Sequence, residues 1–88
     1  MKYLPYSVFL MIDRSSLGPQ RAALVYQMIR YAAQCLDPAS RMQAQYKNHE
    51  RVGYTVWLSS ERAMKSLRRC HLAALAGLPL GPLLGATS

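Results

Sequence analysis

Four basic residues with helical spacing are the side chains of this sequence best suited to bind a partner. Arg62, Lys65 and Arg69 follow one another at intervals of three and four, and Arg68 lies beside them. On a helix this spacing places their side chains along one face. Such a face can contact successive phosphates of a nucleic acid, or pair with the carboxylates of an acidic protein surface. The alternative is a solvated helix face, because surface helices are often rich in Lys and Arg.

A second group of candidates combines basic and aromatic residues in a segment that alternates like a pair of strands. Arg41, Lys47 and Arg51 lie near Trp57, whose alternation phase is the one that faces solvent. Aromatic side chains interleaved with cations on a sheet can stack unpaired bases, and ordinary packing is the alternative. The candidate binding residues of the two segments are Arg41, Lys47, Arg51, Trp57, Arg62, Lys65, Arg68 and Arg69.

The remaining reactive side chains do not form a catalytic or metal-binding set. His49 lies in a polar turn. His71 and its neighbour Cys70 supply only two ligands, whereas structural zinc generally needs four. His71 and Cys70 are also adjacent on a helix, so their side chains point about 100° apart and cannot act as a pair. Asp13 is interpreted as a turn or capping residue. We therefore expect no enzymatic activity, no metal and no cofactor.

Charge and size indicate a small domain that works with a partner. Eleven Lys and Arg residues against four Asp and Glu give a net charge of +7 over 88 residues. A charge of this sign favours association with phosphate or with an acidic protein face. Apolar residues make up 51% of the chain, which is enough for a packed core. A domain of this size is nevertheless only marginally stable by itself.

The apolar segments are too short to predict a membrane span or a secretory signal. The longest uncharged run, Leu72 to Ser88, contains several Gly and Pro residues and falls short of the roughly 20 apolar residues that cross a bilayer. The apolar N-terminal segment is too short for a signal core. We therefore expect a cytoplasmic protein with no membrane partner, in which Cys35 and Cys70 are free thiols. A single disulfide between them is the alternative.

Hydrophobic periodicity predicts two helices and three strands. The apolar run Tyr6–Ile12 predicts a buried central strand, and Pro19–Leu36 has the helical period, with Pro19 in the first turn. The alternating runs Arg41–Lys47 and Val52–Leu58, joined by a polar turn, predict an antiparallel hairpin. A second helix begins after Ser59-Ser60 and stops at Gly77 and Pro79. Its core-facing residues are predicted to be Ala63, Leu67, Cys70, Ala74 and Leu78.

This order of elements predicts a small α+β (α/β) fold of the ferredoxin-like split βαβ type. A single domain covers residues 1–79, and the Gly/Pro/Leu tail 80–88 is irregular or adds a short edge strand through Leu83-Leu84. If the fourth strand is short or missing, one sheet edge stays open. Open edges pair with a second copy or with another protein, so homodimerisation through this edge is predicted.

Two segments show a resemblance to a known enzyme family. Phe9–Ala23 is similar to the opening motif of type-two peptidyl-tRNA hydrolases, and Thr55–Pro79 looks like a later part of that family. The shared features of the first segment are Asp13, Leu17-Gly18, Arg21 and Ala22-Ala23. The resemblance implies a degenerate peptidyl-tRNA-hydrolase-like protein. Pro19 and Gln20 stand where the family has its paired glycines and lysines, so the hydrolase activity is not carried over.

These patterns together predict a small, basic, non-catalytic interaction protein. We expect it to dock on an acidic or phosphate-bearing surface of a larger host protein or ribonucleoprotein and to block that surface sterically. Its size class is that of phage and mobile-element inhibitors, including anti-CRISPR-like factors. The alternative is an RNA- or DNA-binding domain.

Overall fold

Three antiparallel strands form one layer of the protein, and two long helices form the other. The computed structural model describes residues 3–84. The elements are β1 (Tyr6–Met11), α1 (Arg14–Leu17), α2 (Pro19–Leu36), β2 (Arg41–Lys47), β3 (Glu50–Leu58), α3 (Glu61–Leu75) and a 3-10 turn (Gly81–Leu84). The sheet order is β1-β3-β2, and β3 is antiparallel to both neighbours. Over residues 3–84 this is the predicted ferredoxin-like split βαβ arrangement without its last strand.

Helix α2 begins and ends where the sequence predicts. Gly18 is its N-cap with φ 85°, a left-handed value that favours glycine, and Pro19 occupies the first turn. The helix ends at Leu36, and Asp37 has extended geometry because Pro38 follows it. Before α2, the predicted turn contains the single-turn helix α1, whose N-cap is Asp13.

The β2–β3 hairpin closes through a two-residue turn. Asn48 and His49 both have positive φ, 51° and 67°, as a type I′ turn requires, and Asn tolerates this conformation better than most residues. The predicted hairpin is therefore confirmed, with β3 beginning at Glu50, two residues earlier than predicted. The register shifts between Gln45 and Tyr46, which marks a bulge near the turn.

Helix α3 starts at its predicted cap. Ser60 Oγ accepts a hydrogen bond from the Ala63 N–H at 3.1 Å. The predicted core position Leu78 is wrong: its side chain is 56% exposed. Gly77, with φ 78°, turns the chain out of the helical path before Leu78, and Leu80 enters the core instead.

The prediction that β1 is a buried central strand is wrong. Strand β1 is not central, because β3 lies between β1 and β2 in the sheet of the described residues. The helices cover only one face of this sheet, so β1 is buried on that face alone, and Phe9 and Met11 on the other face are 51% and 65% exposed. Leu83 and Leu84 lie in the 3-10 turn rather than in an edge strand. Residues 85–88 of the tail lie outside the described part of the chain.

The core lies between the helices and the inner face of the sheet. Alternate residues of β1 and β3 meet the buried stripes of α2 and α3, and both helices pack against each other. The fully buried side chains include Val25, Ile29, Tyr54, Val56, Leu58, Leu67 and Cys70. Both cysteines are free thiols, as predicted; Cys70 is buried and Cys35 is exposed.

Candidate functional site

The sheet face opposite the helices is open to solvent and carries an ordered set of side chains. Residues that alternate with the core positions point to this face. The strand register places them in three rows across β1, β3 and β2. The rows are Ser7, Trp57 and Arg41; then Phe9, Thr55 and Gln43; then Met11, Gly53 and Gln45.

The apolar part of this open face is formed by β1 and β3. Phe9 and Met11 are more than half exposed, whereas Trp57 is partly buried. Phe9 lies opposite Thr55, so Phe9 and Trp57 are diagonal neighbours on adjacent strands. Diagonal neighbours are about 7–8 Å apart at their Cα atoms, which is within reach of aromatic side chains. Phe9 and Trp57 therefore belong to one face, on which the Phe9 ring leans over Gly53.

The polar part of the open face is neutral or basic. Gln45 Nε2 donates a hydrogen bond to Thr55 Oγ1 at 3.0 Å, and Gln43 is exposed beside them. Arg41, opposite Trp57, is exposed as well. Side-chain amides both donate and accept, as the edges of nucleobases do, and none of the nine residues in these three rows is acidic.

Arg51, a predicted binding residue, is held by aromatic rings on the helix side of the sheet. Its guanidinium carbon lies 4.7 Å from the ring centre of Tyr26, 5.6 Å from that of Tyr54 and 5.8 Å from that of Tyr46. Tyr26 and Tyr54 stack with their centres 4.7 Å apart. The hydrogen bond to Tyr46 is the main cause that raises the pKa of Arg51. Arg51 thus belongs to a cation–π cluster, not to the open face.

The other predicted cations are distributed over separate surfaces. Arg62, Lys65, Arg68 and Arg69 are all exposed on α3. The buried side of α3 faces the sheet, so these four side chains point away from it. The Cα atoms extend over 33 × 32 × 15 Å, so the molecule is thin in one direction. The α3 cations lie on the helix side of the molecule, and the open face of the sheet lies on the opposite side. Lys47 is exposed beside the hairpin turn.

The histidines occupy different environments. His49 is exposed in the hairpin turn, whereas His71 is 6% exposed and its Nε2 donates to the Met11 carbonyl at 3.0 Å. Burial lowers the pKa of His71, and the bond to Met11 opposes this effect. Within residues 3–84 no three His, Cys, Asp or Glu side chains are placed to hold a metal ion.

Sequence reasoning missed Phe9 and Met11 as surface residues. The run Tyr6–Ile12 contains a single polar residue, Ser7, so it has no visible alternation. The available signal was the number of elements: the two predicted helices can cover one face of a sheet and leave the other face exposed. The register with β3 then assigns Phe9 to the same face as Trp57, whose exposed phase was predicted.

The free edge of β1 is the open edge expected from the missing strand. Ile12 N donates to Val52 O, so alternation turns the backbone groups of Ser7 and Phe9 away from β3. Pairing of a second copy at this edge stays a prediction.

Comparison of the chain with protein-family models, curated proteins and solved structures finds no match. Among the helices of residues 3–84, none combines the length and the apolar character that a membrane span requires.

Proposed function

We propose that the protein binds single-stranded nucleic acid on the open face of its sheet. The observation that carries this proposal is that Phe9 and Trp57 lie on one face of the adjacent strands β1 and β3, within three rows of residues that contain no acidic side chain. Single-stranded bases have two apolar flat surfaces, and aromatic side chains on a sheet stack against them.

The charge of the protein supports the same class of ligand. Its net charge of +7 attracts a phosphate backbone, and Arg41 stands at the end of the row that contains Trp57. The amides of Gln43 and Gln45 are positioned beside the rings to bond base edges. In this arrangement stacking supplies much of the affinity and the cations supply its dependence on salt.

Trp57 provides a direct test because it is the only tryptophan in the sequence. Titration with single-stranded RNA and DNA oligonucleotides at low salt should quench its fluorescence saturably. Replacement of Phe9 by Ala should weaken binding by about 5- to 150-fold, since one stacked base contributes about 1–3 kcal/mol. Tyr31→Ala is the matched control, because Tyr31 is 66% exposed but lies on α2.

Two results would overturn the proposal. One is the absence of any saturable change with RNA or DNA at low salt. The other is an equal loss of affinity in Phe9→Ala and Tyr31→Ala, which would mean that the open face is not the binding surface.

A second candidate function is steric docking through α3. It is favoured by the exposure of Arg62, Lys65, Arg68 and Arg69 on a helix whose only acid is Glu61. In this proposal the α3 cations bind an acidic or phosphate-bearing surface of a larger host protein or ribonucleoprotein and block it. A pulldown from host lysate with and without nuclease, repeated with all four residues changed to Gln, separates the two functions. A protein partner that survives nuclease and is lost in the variant supports docking; one retained by the variant excludes it.

A further inference from the structure

A small cleft with a basic lining lies away from the open face. Its volume is about 270 Å³, and it is formed where the end of β1, the first turns of α2 and the β2–β3 turn meet. The polar part of the cleft is lined by Arg14, His49, Arg51 and the Tyr46 side chain. Pro19 lies in its apolar wall. None of its nine lining residues is acidic.

The guanidinium of Arg51 is held in a fixed position that suits it to bind an anion in this cleft. The rings of Tyr26, Tyr46 and Tyr54 fix its guanidinium, which reduces the entropy that a ligand must offset. Its Nη2 donates to Tyr46 Oη at a long 3.4 Å, and its Nε is buried without a hydrogen-bond partner. A buried N–H of this kind costs free energy until an acceptor reaches it.

Arg14 adds a second guanidinium that is not neutralised by its sequence neighbour. The carboxylate of Asp13 instead accepts the Ser15 N–H at 3.0 Å and the Ser16 hydroxyl at 2.7 Å. These side-chain hydrogen bonds lower the pKa of Asp13. The Asp13 side chain is thus used as the N-cap of α1. On the other side of the cleft, Glu50 is exposed and lies opposite Lys47 in the hairpin, outside the lining.

We propose that this cleft binds a phosphate monoester, with the phosphoryl group between Arg14 and Arg51. Guanidinium groups bond phosphate oxygens in a bidentate geometry, and the absence of acidic lining residues leaves the positive potential intact. The volume is below the range of about 300–1,000 Å³ that is typical for larger ligands, so the cleft takes the phosphoryl group and little more. The source is a free mononucleotide or the phosphorylated end of a strand. This proposal does not rest on nucleic-acid binding at the open face.

The test is an amide-resolved NMR titration of the full chain at constant ionic strength. The probes are inorganic phosphate, AMP, and one oligonucleotide with either a 5′-phosphate or a 5′-hydroxyl. We expect saturable shifts centred on the amides of Ala22, Ala23 and His49. Preference for AMP over inorganic phosphate assigns a mononucleotide, and preference for the 5′-phosphorylated strand over its hydroxyl form assigns a strand end.

Matched variants decide whether the cleft is responsible. Arg14→Gln should weaken phosphate binding about 10-fold, the usual scale of one charge-assisted contact, whereas Arg30→Gln on α2 should change nothing. Arg14 and Arg30 are both exposed, so both variants should fold. The absence of saturable shifts with every probe overturns the proposal, as does an equal loss in the two variants.

Discussion

The ring of Phe9 in β1 lies over Gly53 in β3. A Cβ atom added to Gly53 would lie 2.9 Å from Phe9 Cζ and would also meet the Leu10 carbonyl oxygen and the Met11 backbone. Because backbone cannot give way as a flexible side chain can, Gly53→Ala must displace β1. We expect this substitution to reduce the free energy of unfolding by about 1–3 kcal/mol in urea denaturation.

Gly81→Ala is the matched control, since nothing lies within 4 Å of the added Cβ at Gly81. It should change the free energy of unfolding by no more than about 0.5 kcal/mol. Equal stability of the two variants would contradict the close approach of β1 and β3 at Gly53.

Local patterns were sufficient to predict the elements, whereas the open face depended on long-range pairing. Pro19, Asp37-Pro38 and Ser60 mark helix ends by local geometry that tertiary contacts did not override. By contrast, whether Phe9 is buried depends on which face of the sheet it occupies and on whether helices cover that face. No property of Tyr6–Ile12 alone contains that information.

The cleft around Arg51 was beyond sequence reasoning for a similar reason. Residues far apart in the chain, Arg14 and Arg51, line it together. The bulge between Gln45 and Tyr46 also interrupts the regular alternation next to Arg51. Strict two-residue alternation therefore does not predict on which face of the sheet the Arg51 side chain lies.

The buried His71 should make stability depend on pH. Burial lowers the pKa of His71 below its ordinary value of 6.5, so near that pH the unfolded state binds more protons than the folded state. Stability is therefore complete above about pH 6.5 and is lost as the pH falls below it, by at most about 1.4 kcal/mol per pH unit for one proton. Urea denaturation between pH 7.5 and 5 measures this slope.

His71→Gln should flatten that profile, because it removes the buried titratable ring. Asp13 does not interfere, since its pKa is lowered from 3.8 and it titrates below the measured range. A profile unaffected by His71→Gln would show that another group carries the pH dependence.

Arg41 should contribute to the salt dependence of nucleic-acid binding. It lies in the same row of the open face as Trp57. Removing one phosphate contact with a single strand lowers the slope of log K against log salt by about 0.7. We expect this change in Arg41→Gln from Trp57 fluorescence titrations at several salt concentrations. Arg62→Gln should keep the original slope; an equal change in both variants would indicate diffuse attraction instead.

The free edge of β1 should pair with a second copy. Ser7 presents its backbone N–H to this edge and not to β3, so Ser7→Pro removes the edge donor without removing a ladder bond. We expect concentration-dependent dimerisation of the parent protein in sedimentation velocity, and a monomer for Ser7→Pro. Ser7→Ala should still dimerise. A parent protein that stays monomeric at all concentrations would contradict the prediction.

Asp37 should be the most costly carboxylate to neutralise. It is 6% exposed, and its two oxygens accept from different segments: Oδ1 from the Ala39 N–H at 3.0 Å, Oδ2 from the Ser59 N–H at 2.7 Å and its hydroxyl at 2.8 Å. An Asn side chain has only one acceptor oxygen, so Asp37→Asn must turn its NH₂ toward a backbone donor on one side.

The expected loss for Asp37→Asn is about 1.5–3 kcal/mol in the free energy of unfolding, the scale of a hydrogen bond to a charged group. Asp13→Asn is the matched control, because Asp13 is exposed and Asn caps a helix as well as Asp does. The difference between the two variants isolates the link from the end of α2 to the start of α3. If Asp37→Asn costs no more than Asp13→Asn, that link does not stabilise the fold.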